Sequence, residues 1–134
     1  MITAVDASVL LDVLLADAAF GTASEAALRR ASAEGALILS EAVLGEIVPV
    51  LTAAEVPKWL ADWQLKFVPS SQQSAILAGD MFRIYLARGG KRGRVLPDFL
   101  IGAHAALHAQ RLLARDRGFF RDYFKRLTVL DPSR

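Results

Sequence analysis

The sequence predicts a three-layer α/β fold in which a central five-stranded parallel sheet is flanked by helices. Three observations predict it. Short apolar runs at residues 2–5, 36–39, 65–68, 112–114 and 128–130 are too brief for helices and read as buried strands. Segments with helical spacing separate each run from the next, which requires crossover connections and therefore parallel strands with helices on both faces. Carboxylates or hydroxyls stand at the ends of these runs, as Asp6, Ser40 and Asp116 do, where an open parallel sheet forms its ligand crevice.

Ile2 to Val5 is β-branched at both ends and gives way at Asp6-Ala7-Ser8 to Val9, Leu10, Val13 and Leu14, whose spacing predicts a helix over 8–16. Either Asp6 or Ser8 suits the helix cap. A second helix is expected over 22–34, stopped by Gly35. After the run Ala36 to Leu39, Ser40 caps a helix whose apolar stripe is Val43, Leu44, Ile47, Val48 and Leu51, with Glu46 on the side shared by Val43 and Val50. Pro49 is expected to kink or break that helix. Pro57 opens a short helix over 56–63, and Trp59, Leu60 and Trp63 read as core or dimer-interface residues.

A long helix runs from Ser70-Ser71 to about Arg88. Gly89-Gly90-Lys91-Arg92-Gly93-Arg94 then forms a basic arm without the spacing of a phosphate-binding Walker A loop. Pro97 suits a helix start and places Asp98 in the first turn, at the positive end of the dipole. Gly102, one turn on, is expected to leave room for substrate or metal. His104 and His108 share a face but lack a third zinc ligand and point away from Asp98. Asp116 follows the fourth strand as Asp6 follows the first, and an aromatic helix from Phe119 to Phe124 leads to the last strand.

At 134 residues, with 54% hydrophobic and 22% charged residues, the chain is expected to form a single domain over 1–134 that is neither disordered nor membrane-spanning. The absence of cysteine excludes disulfides, thiolate metal sites and cysteine nucleophiles, and fits the cytoplasm. Charge is divided along the chain. Residues 1–66 hold four Lys and Arg against nine Asp and Glu, whereas residues 67–134 hold twelve against five. The later half therefore carries a potential polyanion-binding face.

Asp6, Glu46, Asp98 and Asp116 are the acids that such a fold can gather in one crevice. Like charges there need a cation, and an all-oxygen donor set points to Mg²⁺ or Mn²⁺. That combination suits phosphodiester hydrolysis, with one ion activating water and another stabilising the leaving oxygen.

The stretches Val5-Asp6-Ala7-Ser8, Leu44-Gly45-Glu46-Ile47, Leu96-Pro97-Asp98-Phe99-Leu100-Ile101-Gly102-Ala103 and Leu113-Ala114-Arg115-Asp116-Arg117-Gly118-Phe119-Phe120, in this order, resemble a PIN-domain ribonuclease of the VapC toxin type. The resemblance covers nearly the whole chain. It implies a PIN-like three-layer sheet fold and Mg²⁺- or Mn²⁺-dependent endoribonuclease activity on structured RNA such as tRNA or rRNA. It also implies homodimerisation and inhibition by a small antitoxin protein. Carried over by position, Asp6, Glu46, Asp98 and Asp116 are the catalytic and metal-binding acids, and Ser8 supports Asp6. Arg115 and Arg117 become phosphate or antitoxin contacts, and Arg88, Lys91, Arg92 and Arg94 are expected to position RNA. Asp122 is the nearest candidate for a further acidic helper.

A phosphate-receiver domain would want paired acids after the first strand and a Lys after the last. A haloacid-dehalogenase phosphatase would want Asp where Ser8 stands. The remaining alternative is a PIN fold used without catalysis, as an RNA-binding or protein-interaction module.

Overall fold

The computed structural model describes residues 1–93 and 95–134, so Arg94, expected to face RNA, lies outside the described residues. In chain order the elements are β1 (Ile2–Val5), α1 (Ala7–Leu14), α2 (Gly21–Glu34), β2 (Ala36–Leu39), α3 (Glu41–Leu51) and α4 (Val56–Asp62). They continue with β3 (Leu65–Phe67), α5 (Gln72–Ala87), α6 (Leu96–His108), β4 (Arg111–Leu113), α7 (Phe119–Tyr123) and β5 (Thr128–Leu130). The strands form the expected five-stranded parallel sheet in the order β3-β2-β1-β4-β5.

β1 is the middle strand because Thr3, Ala4 and Val5 can be buried on both faces, and all three are. Its register pairs Thr3 with Leu37 on one side and with Arg111 on the other. The chain winds outward from β1 through β2 to β3, then returns to place β4 against the free side of β1. This reversal is a topological switch point, and it lies between β1 and β4. The β1–β4 ladder extends one residue beyond the strand, where the Asp6 amide donates to the Leu113 carbonyl at 2.9 Å. Phe99, Leu10, Leu37, Leu39, Ile47, Ile101 and Leu112 fill the layers on either side.

Several elements differ locally from expectation. α3 continues through Pro49 to Leu51. Pro49 deprives only the Gly45 carbonyl of its intrahelical partner, Gly45 is exposed, and the helix stops two residues later at Thr52 (φ 65°). β4 begins one residue early because the Arg111 guanidinium donates to Thr3 Oγ1 at 2.8 Å and to Glu34 at 3.1 Å, which lets a charged residue occupy a buried strand. α1 ends at Leu14 rather than Ala16, which lies in the left-handed region at φ 48°. Gly35 ends α2 as expected, since a Cβ there would overlap the Met1 carbonyl, which accepts from the Ala36 amide. Among the described residues, no helix is long and apolar enough to cross a membrane.

Candidate active site

The loops that leave β1 and β4 meet the N-terminus of α6 and one side of α3 around a cleft of about 320 Å³, lined by Asp6, Ser8, Glu46, Asp98, Asp116 and Arg117 among others. The switch point brings Asp6 and Asp116 together although they lie far apart in sequence. Asp6 caps α1. Its Oδ2 accepts from the Ser8 amide at 3.1 Å and from the Ser8 hydroxyl at 2.5 Å, so its rotamer is fixed before any ligand arrives. Burial raises the Asp6 carboxyl above its ordinary pKa despite the Ser8 hydrogen bonds and the charge of Arg115.

Glu46 and Asp98 share this environment. Burial, then the charges of Asp6 and Asp98, raise the Glu46 carboxyl. Burial, then the charge of Asp6, raise Asp98 to about 6. Asp6, Glu46 and Asp98 therefore form a mutually repelling set, and among the described residues no cation makes an ion pair with any of them. Their donors are all carboxylate oxygens, the type that suits a hard divalent cation. As they stand, no three His, Cys, Asp or Glu among the described residues are close enough to cage an ion.

Asp116 lines the same cleft but is differently engaged. Its Oδ1 accepts from the amides of Gly118 (3.0 Å) and Phe120 (3.1 Å), and its Oδ2 accepts from the amide of Arg121 (3.2 Å). It thus satisfies the N-terminal amides of α7, while the Asp131 carboxylate accepts from its own amide at 3.0 Å.

The basic residues divide similarly. Arg115 grips buried Asp12 through Nε (2.8 Å) and Nη2 (3.0 Å), its guanidinium lies 4.3 Å from the centre of the Phe20 ring, and its amide donates to Ser8 Oγ. Its charge is therefore already engaged in bracing α1. Arg88 pairs with Asp122 at 3.2 Å and lies over the Tyr123 ring, so Asp122 faces Arg88 and is not among the residues lining the cleft. Arg117, Lys91 and Arg92 are exposed and unpaired among the described residues, and Arg117 borders the cleft.

Gly102 corrects the expectation placed on it. A Cβ there would overlap the Phe124 ring, so the missing side chain makes room for a core aromatic and not for substrate. His104 Nε2 donates to the Val68 carbonyl at 2.7 Å and His108 contacts Ser71 Oγ at 3.2 Å, so both are structural. Asp12, Phe20, Arg121 and Asp131 support the site, and sequence reasoning does not single them out. Their partners are set by sheet order, and only the Asp131-Pro132 ending hints at any of them.

An open α/β fold with carboxylates gathered beyond the strand ends at its switch point defines a protein with an acidic cleft where such folds bind their ligands. The chain belongs to the PIN domain family, whose model matches residues 3–125. Its fold is similar to VapBC2 from Rickettsia felis, solved bound to a DNA fragment from its promoter, at TM-score 0.74 and 16% identity over 98% of each chain. It is also similar to VapBC-1 from nontypeable Haemophilus influenzae (TM-score 0.72, 14% identity, 100% of each chain) and to FitAcB from Neisseria gonorrhoeae (0.70, 18%, 98% of each). No curated protein matches the chain in sequence.

Proposed function

We propose that the protein is a metal-dependent endoribonuclease, the toxin of a VapBC-type toxin–antitoxin pair, and that residues 1–134 act as one PIN-like unit. The observation that carries this reading is the set Asp6, Glu46 and Asp98 in one cleft, where burial and then the charge of Asp6 raise both Glu46 and Asp98, and where, among the described residues, none of the three makes an ion pair. Such repulsion is costly in a site that binds nothing, and it is relieved by Mg²⁺ or Mn²⁺. PIN family membership and the VapBC neighbours support the same reading.

Asp6 and Asp98 would hold the ion, with Glu46 as a further ligand or as the group that orients the attacking water. When bound, the cation supplies Lewis-acid polarisation of the phosphodiester and acidifies its water. Ser8 keeps Asp6 pointed into the cleft. Glu46, exposed and with a raised proton affinity, can receive the proton that water loses on attacking phosphorus. Arg117 borders the cleft where it can meet a phosphate, and Lys91 and Arg92 extend the basic surface along the RNA. Action in the cytoplasm on structured RNA, a homodimer, and a small antitoxin partner complete the proposal.

The test is cleavage of total RNA by the purified protein with Mg²⁺, with Mn²⁺ and with chelator, beside Asp98→Asn. Discrete fragments that require both metal and Asp98 would support the reading. A PIN fold used without catalysis is the second reading, favoured by the commitment of Asp116 to α7. Folded, partner-free protein that cuts nothing under any of these conditions would establish it.

A further inference from the structure

We propose that the protein binds a small amphipathic carboxylate, an alkyl or aryl body with one anionic head, in a second pocket at the opposite end of the sheet. This pocket of about 410 Å³ lies beside residues that precede β4 and β5, whereas the acidic cleft lies beyond the ends of β1 and β4. Its volume falls within the roughly 300–1,000 Å³ typical of small-molecule sites. Leu77 and Met81 of α5, Leu107 of α6, and Phe124 and Leu127 of the α7–β5 connection give it apolar walls. Phe124 is held in place by its seat on Gly102, so that wall is preformed.

The head group follows from charge. Among the described residues no carboxylate lines the pocket, while Lys125 and Arg126 both do. Both are exposed and, among the described residues, neither makes an ion pair. Apolar walls with a few convergent polar groups are the usual composition of a ligand site, and two free cations at the rim select an anion. The chemistry is separate from that of the acidic cleft, and the proposal does not rest on the nuclease reading.

The experiment is calorimetric titration of the full chain with decanoate below its micellar concentration, with 1-decanol as the uncharged control. Saturable one-to-one binding of decanoate is expected, with decanol at least about tenfold weaker because it offers the two cations no anionic hydrogen-bond acceptor. Lys125→Glu combined with Arg126→Glu, both at exposed positions, should weaken decanoate by at least as much while leaving the far-ultraviolet circular dichroism unchanged. Ala106→Trp, which fills the mouth from an exposed helical position, should abolish binding. No saturable heat, equal affinity for the two ligands, or unchanged affinity after charge reversal would overturn the proposal. So would cosedimentation with anionic phosphatidylglycerol vesicles without binding of monomeric decanoate, which would make the patch a membrane contact.

Discussion

Asp98 concentrates the electrostatic tension of the cleft in one carboxyl group. Burial and the nearby Asp6 raise it to about 6 from 3.8, so the metal-free folded chain holds this proton more tightly than the unfolded chain does. The stability it contributes is full below pH 3.8 and is lost as pH rises through about 6. Asp98→Asn, neutral throughout, should therefore abolish RNA cleavage yet stabilise the protein in chelator. The expected gain is on the order of 1 kcal/mol at pH 8, allowing for solvent screening, and should shrink to nothing near pH 4. Urea unfolding at the two pH values measures this, and a gain independent of pH would show that neither burial nor Asp6 raises the Asp98 carboxyl. Asp116 should behave differently, because its oxygens already accept from three amides of α7 and the turn before it. Asp116→Asn is expected to cost about 1 kcal/mol of stability as a weakened cap and to retain far more cleavage activity than Asp98→Asn. Equal loss of activity in parallel RNA assays would instead make Asp116 a ligand that leaves its cap position when metal binds.

At the level of elements, α1 and α7 are both positioned from the loop after β4, α1 by Arg115 and α7 by Asp116. Arg115→Ala would leave buried Asp12 with only the Ser24 hydroxyl as a partner, and should destabilise the chain by about 3 kcal/mol in denaturant titration. Gly102→Ala, which drives a methyl group into the Phe124 ring, should cost roughly 1–3 kcal/mol in the same assay. These packing arrangements also mark the limit of what the sequence makes legible. The strands can be read because apolar runs of three or four residues leave no room for a helix. The acids Asp6, Glu46 and Asp98 can be placed because each stands at a strand end, on a helix face or in a first helical turn. Whether an acid in the cleft is also engaged by backbone amides depends on the path of the following loop, which spacing does not encode; Asp116, which lines the cleft and accepts from three amides, shows this. Gly102 misleads for a related reason. Its helical phase relative to Asp98 follows from the sequence, but the partner filling that side, Phe124, comes from a segment after β4 whose position depends on strand order.

Across the whole molecule, acid and base are divided. The net charge of +2 hides the excess of twelve basic over five acidic residues in positions 67–134, part of which lies on Lys91, Arg92 and Arg117, exposed and, among the described residues, unpaired. Replacing these three with Ala should weaken RNA binding and lower the slope of log affinity against log salt by about 0.7 for each phosphate of a single strand that is no longer neutralised. A slope unchanged in filter-binding assays would place the RNA elsewhere. Chain topology carries a further consequence, in the order of synthesis. The central strand is made well before its neighbour, since Thr3 bonds to Arg111, 108 residues later. At roughly 5–20 residues per second, that neighbour arrives about 5–20 s afterwards. For most of that interval Asp6 has neither the β4 ladder beside it nor Asp98 across from it. A chain halted before α6 carries the first acid without a cleft, so the acids proposed to act together are gathered only once α6 and β4 have both been made.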